Sequence, residues 1–139
     1  MMSKKVSVFR KEHFNAAHRL HNPDWSAEKN KEIFGLCNNA NYHGHNYELI
    51  IQITGTINPE TGYVIDVKIL KDIISNVVTD RYDHKNLNMD CPEFFDLNPT
   101  VENIAMVCYN NLLPHLQAFG KLSIKLYETE KNWVEYAGE

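Results

Sequence analysis

The junction of His43-Gly-His45 with Asn-Tyr-Glu48-Leu-Ile-Ile-Gln-Ile-Thr54 constrains this chain more than any other stretch. The second part is rich in β-branched residues and reads as a strand. On a strand, residues two apart project from the same face, roughly 7 Å from one another. His43 and His45 therefore share a face, and they can share one metal ion if a neighbouring strand supplies a third ligand. Neutral imidazole is a common zinc ligand, and three protein ligands with an open position is the catalytic pattern. Gly44 has no side chain to crowd an ion. A solvated edge strand would also tolerate a His-x-His pair, so the residues around it have to decide.

Residues 5–20 read as a long strand, bent or bulged midway, with Phe14, Ala16, His18 and Leu20 on one face. His18 is then either a satisfied core histidine or, if this strand pairs with the one beginning near His43, the missing third ligand. His13 falls on the opposite face and His21 lies where the strand ends. Residues 22–42 form a long connection that could hold one short helix from Ser26, its N-cap, to Phe34. Connections this long in compact domains are usually functional. Cys37 lies in the Asn-rich part, where it is either an inert small hydrophobe or a thiol activated by nearby positive charge.

The strand over 46–55 ends at Gly55. Asp66 caps a helix expected over 67–80, with Val67, Leu70, Ile73, Ile74 and Val77 as its core stripe. Asp83-His84 follows, either as a helix-terminal cap or as a carboxylate–imidazole pair of the kind that fixes a tautomer. Thr100 is expected to cap a second helix, with Val101, Ile104, Ala105, Cys108 and Leu112 inward and Pro114 as its stop. Glu102 sits in its first turn, where it complements the helix dipole. A closing hairpin runs from Lys121 to Thr129 and returns over Trp133–Tyr136. Glu128 continues the apolar face of Leu122, Ile124 and Leu126. A carboxylate there needs donors, either from a local partner or from a ligand with two adjacent N–H groups.

Composition narrows the class. With 139 residues the chain suits one compact domain, 1–139. A formal charge of −4 leaves no basic footprint for nucleic acid. No apolar run reaches membrane-spanning length, and the N-terminus lacks a signal-like apolar region. The three cysteines, Cys37, Cys91 and Cys108, show no paired spacing, which points to a reducing, cytoplasmic setting.

Taken together and in order, Phe-Asn-Ala-Ala-His18-Arg-Leu, Cys37 ahead of His43-Gly-His45, Asp83-His84-Lys-Asn-Leu, Pro-Thr100-Val-Glu102-Asn and Tyr-Glu128-Thr resemble the 6-pyruvoyl-tetrahydropterin synthase and 6-carboxytetrahydropterin synthase family. The resemblance covers nearly the whole chain. It implies an α+β tunnelling fold: a four-stranded antiparallel sheet with two helices on one face, in ββααββ order. It also implies a homohexamer, a dimer of trimers whose sheets close into barrels, with active sites between subunits. His18, His43 and His45 match the family's zinc ligands. Cys37 matches its catalytic base, and Asp83 with His84 its triad partners, reaching Cys37 from a neighbouring subunit. Glu128 matches the carboxylate that anchors the pterin's 2-amino and N3 groups, and Thr100 and Glu102 match the pterin-pocket segment.

The implied substrate is 7,8-dihydroneopterin triphosphate, with Zn2+ as the cofactor and triphosphate released. No redox cofactor is required, in keeping with the lack of a Gly-rich nucleotide loop. Two branches share that substrate. One leaves a pyruvoyl side chain for tetrahydrobiopterin synthesis. The other leaves a 6-carboxylate and acetaldehyde for queuosine-type synthesis, often with three residues between the cysteine and His-Gly-His. This chain has five there, Asn38 to Tyr42, which favours the pyruvoyl branch. A non-catalytic pterin- or metal-binding protein of the same fold is the reading from another class.

Overall fold

Residues 4–139 are described by a computed structural model. Strands β1 (Lys5–His18) and β2 (His43–Thr56) are the long elements of the sheet. Their antiparallel register runs unbroken from Lys5 opposite Thr56 to His18 opposite His43. The bulge expected in the first strand is absent, and the strand stops at His18, short of Leu20. Strict alternation then puts Phe14, Ala16 and His18 on the same face as His43, His45, Tyr47, Leu49, Ile51 and Ile53.

Four antiparallel strands were expected, but the sheet has five, in the order β3-β1-β2-β4-β5. Strands β4 (Lys121–Tyr127) and β5 (Trp133–Tyr136) form the closing hairpin. The added strand, β3 (Lys85–Asn86), runs parallel to Ala16 and Ala17 of β1. It exists because the backbone N–H of His84 donates to the Asn15 carbonyl at 2.6 Å and steers the next two residues alongside β1. The sheet is therefore mixed, and β3 interrupts the ββααββ order between the main helices.

One face of the sheet is covered by helices. Helix α1 (Ala27–Phe34) carries the predicted Ser26 cap, with Ser26 Oγ accepting the Lys29 N–H at 3.1 Å. Helix α2 (Val67–Ile74) starts at Asp66 as expected, then passes through a π-helical segment, Ser75–Thr79, into the short α3 (Asp80–Tyr82). The inward stripe keeps Leu70 and Ile74, fully buried, with Ile73 and Val77 packed half-buried against the core. The wider turn shifts its far end to fully buried Val78 and Tyr82. Val67, the first residue of the helix, is 52% exposed. Val67 is thus not core. Leu70→Ala should cost about 2–5 kcal/mol, and Val67→Ala within about 0.5 kcal/mol. Urea midpoints of the two variants test this, and equal losses would contradict the shifted stripe.

After the short α4 (Leu87–Asp90), helix α5 (Val101–Leu116) begins at Thr100, whose Oγ1 accepts the Asn103 N–H at 3.2 Å. Pro114 does not stop it. The ring removes one N–H from the last turn, where Asn110 and Pro114 are both exposed, and the Gln117 N–H still closes on the Leu113 carbonyl at 2.9 Å. Cys108 is fully buried on the inner stripe, and burial pushes its thiol up to about 12. That is the chemistry of packing. Among the described residues no helix is long and apolar enough to cross a membrane.

Candidate active site

The core face does not stay apolar to its end. Beyond Phe14, Ala16 and Tyr47 the same alternation delivers three histidines. His18 faces His43 directly across the pair, and His45 lies opposite Ala16. The ring centroids of His18 lie 4.5 Å from His43 and 5.1 Å from His45, and His43 and His45 are 5.1 Å apart. One ring nitrogen from each falls within 4.8 Å of the other two. Gly44 is not what makes room, since a Cβ there would point to the other face and meet only the Ala16 carbonyl at 3.5 Å.

The chemistry of the triangle fits a metal. Nδ1–H of fully buried His18 donates to the Pro99 carbonyl at 2.7 Å, which leaves Nε2 with the lone pair. Such an outer partner is what fixes the tautomer of metal-binding histidines. Both ring nitrogens of His43 are buried and lack any hydrogen-bond partner among the described residues. Buried polar groups are rarely left so, because desolvation without a partner costs free energy. Burial, seconded by repulsion from His43 and His45, pushes His18 down to about 4 against the opposing Pro99 bond. Burial and then His45 also lower His43, with Glu128 opposing. Neutral imidazole is the ligand form.

A pH dependence follows. Below the ordinary value of 6.5 the unfolded chain protonates His18, while the folded chain resists down to about 4. Stability of the metal-free protein should be fully present above pH 6.5 and fall toward pH 4, by roughly 3 kcal/mol from this group. Bound metal should be released over the same range, as protons compete for the ligands. Denaturant midpoints at stepped pH for wild type and His18→Leu check this. An equal decline in both would contradict it.

Glu128, one residue past β4, reaches toward the triangle, its Oε2 3.9 Å from His18 Nε2. With His18 neutral this is a contact and not an ion pair. No donor among the described residues reaches the Glu128 carboxylate, so the local partner allowed by the sequence is not there. Cys37 is half-buried in a 3-10 turn, Gly35–Asn38, whose Cys37 carbonyl accepts the Leu20 N–H at 2.9 Å. The Tyr47 hydroxyl is pushed up by burial first, then by the charges of Glu128 and Cys37. Tyr47 is fully buried, and its hydroxyl lies 3.3 Å from His18 Nδ1. Continuing the period-two count from 43 and 45 would have found it.

Asp83 and His84 do face each other, with Nδ1 of His84 2.8 Å from Oδ2 of Asp83. Asp83 Oδ1 also accepts the Asn15 N–H at 2.8 Å, and this bond first, then the one with His84, holds its carboxyl below the usual range. The pair sits on the outer edge of β1, with the His84 side chain 84% exposed, and no hydrogen bond among the described residues joins it to Cys37. Thr100 and Glu102 are not drawn into the site either. The Thr100 Oγ1 accepts the Asn103 N–H as the cap of α5, its O–H still able to donate, and Glu102 is exposed. Among the described residues, the two non-glycine ones with left-handed backbone are Tyr42 (φ 66°), directly before His43, and His84 (φ 61°). Strain of this kind gathers at functional sites.

Sequence reasoning also missed the asparagines that hold the long connection. Buried Asn30 accepts the Asn22 N–H at 2.8 Å and donates to the Asn22 carbonyl at 2.9 Å. Asn88 clamps both backbone groups of Arg19, at 2.8 and 2.9 Å.

Residues 7–139 match the family model described as 6-pyruvoyl tetrahydropterin synthase. The human 6-pyruvoyl tetrahydrobiopterin synthase is 41% identical over 135 residues, covering 97% of this chain and 93% of that protein. The Rickettsia bellii 6-carboxy-5,6,7,8-tetrahydropterin synthase is 31% identical over 149 residues, covering 94% and 99%. The solved structure of Caenorhabditis elegans 6-pyruvoyl tetrahydropterin synthase superposes with a TM-score of 0.93 at 37% identity, covering all of both chains. With a three-histidine cluster on the core face and these likenesses along its length, the chain belongs to the 6-pyruvoyl tetrahydropterin synthase family.

Proposed function

We propose that this chain is a zinc-dependent lyase that converts 7,8-dihydroneopterin triphosphate to 6-pyruvoyl-tetrahydropterin and releases triphosphate. The observation that carries the reading is the orphaned, buried pair of His43 nitrogens inside the His18–His43–His45 triangle. Those three residues would hold zinc, which when bound acidifies hydroxyl groups at its open position. Glu128, a carboxylate without a donor of its own, accepts from the pterin's 2-amino and N3–H groups and so orients the ring. Cys37 as thiolate removes protons from the side-chain carbons. Asp83 fixes the His84 proton on Nδ1, leaving Nε2 free to carry protons in the same reaction. Thr100 acts by setting the start of α5, and with it the Pro99 carbonyl that holds His18.

The exposed Asp83–His84 pair serves the Cys37 of a neighbouring copy. β3 covers β1 only at Ala16 and Ala17, and β5 has an unpaired outer edge, so the sheet ends in two open edges that a ring of copies would satisfy. The assembly is a homohexamer of two stacked trimers. Its setting is the cytoplasm, where three free cysteines are stable. The pyruvoyl product is favoured by the five-residue spacing before His43 and by the higher identity to the human pyruvoyl enzyme.

Incubating zinc-loaded protein with 7,8-dihydroneopterin triphosphate and weighing the products tests the reading. A pyruvoyl side chain with free triphosphate is expected. A 6-carboxylate with acetaldehyde would move the chain to the queuosine-type branch, and no turnover would leave a binding protein.

A further inference from the structure

A cleft of about 830 Å³ opens beside the metal triangle. Its wall includes Arg19, which follows His18, Tyr42, which precedes His43, and Pro99, whose carbonyl holds the His18 ring. The cleft thus shares two segments with the triangle, at His18–Arg19 and Tyr42–His43, and a third, at Pro99, holds His18 by a hydrogen bond.

Three donors line this end of the cleft, and buried Asn38 organises two of them. The Asn38 carbonyl accepts Nε–H of Arg19 at 2.9 Å, which orients the guanidinium and leaves its two Nη groups free. Asn38 Nδ2 lies 2.9 Å from Nδ1 of His21 and 2.8 Å from the Leu20 carbonyl. An amide nitrogen only donates, so Nδ1 of His21 accepts and the ring proton sits on Nε2. Asn98 accepts the His21 N–H through Oδ1 at 3.1 Å, so its own NH2 is left to donate. The charge balance singles out Arg19 further. Arg10 pairs with Glu12 and Arg81 with Glu93, but Arg19 has no carboxylate partner among the described residues. An oriented, unpaired guanidinium is suited to bidentate recognition of phosphate oxygens.

We propose that the Arg19 end of this cleft seats the triphosphate of the substrate, with Arg19, Nε2–H of His21 and the Asn98 amide as its donors. The assignment rests on the pterin triphosphate reading above and extends it to residues that reading leaves unused. Asp24 and Asp96 also border the cleft, both exposed, and their charge opposes an anion. Removing it should tighten binding.

The test is calorimetric titration of inorganic triphosphate into protein stripped of metal, so that the histidine triangle cannot hold phosphate through an ion. Arg19→Gln should weaken binding by about 10-fold to 100-fold, the range for a lost charge-assisted contact. Arg19→Lys, which keeps charge and stem, should fall between and serves if the glutamine variant fails to fold. Lys68→Gln and Lys85→Gln should bind as wild type does, and Asp24→Asn with Asp96→Asn should bind more tightly. No binding by wild type, or equal binding by the Arg19 variants, overturns the assignment. The two readings fail separately. Turnover with an unchanged KM in Arg19→Gln removes the cleft and keeps the lyase, whereas Arg19-dependent triphosphate binding without turnover does the reverse.

Discussion

His43→Ala combined with His45→Ala is expected to empty the metal site and stop turnover while leaving the protein folded. The two rings supply two of the three nitrogens in the triangle, and His18 alone, buried beneath them, cannot hold an ion. Losing a single outer-shell partner typically costs about 10–100-fold in metal affinity, so losing two direct ligands should exceed that. Stability separates this from simple damage. Because both His43 nitrogens are buried and unpaired without metal, alanine removes a desolvation cost that offsets the lost ring contact with His18. The metal-free variant should therefore melt no lower than metal-free wild type. Wild type should gain about 4 kcal/mol at a zinc concentration 1,000-fold above its Kd, and the variant nothing. Elemental analysis with paired melting curves reads both effects. Retention of stoichiometric zinc would remove the metal assignment.

Cys37→Ala should lower kcat by about 10²–10⁴, the usual worth of a general base, with zinc content and KM nearly unchanged. Cys37 is not one of the three residues whose ring nitrogens form the triangle, so its loss should spare the ion. His84→Ala should resemble it, and the double variant should be little worse than either, because residues acting as one unit are strongly non-additive. Single-turnover rates distinguish the outcomes. Wild-type turnover by Cys37→Ala would contradict the acid–base scheme.

What the sequence revealed and what it hid divide along the range of the interactions involved. The histidine triangle was legible because a period of two is rigid: once β1 and β2 pair, His18, His43 and His45 can only share a face. Caps at Ser26, Asp66 and Thr100 were legible because each is settled within three residues. The π-helical segment was not. It carries the inward stripe on through Val78 and Tyr82, beyond the expected Leu70, Ile73, Ile74 and Val77, and both added residues pack in the shared core. Strand β3 and the placement of Asp83 and His84 depend on bonds to Asn15, some seventy positions earlier in the chain, as the Asp83 contact shows with its separation of 68. Asn38 and Arg19 were opaque for the same reason: their roles lie in pairings between the end of β1 and the loop that carries Cys37.

One zinc per chain, held by His18, His43 and His45, is what we propose makes this protein a lyase. Protein stripped of metal and titrated with zinc tests it most directly, with triphosphate release followed at each step. Activity should be absent at the start, rise in proportion to added zinc and level off at one equivalent per chain. Full release by the stripped protein, or a plateau unrelated to that stoichiometry, would contradict the account.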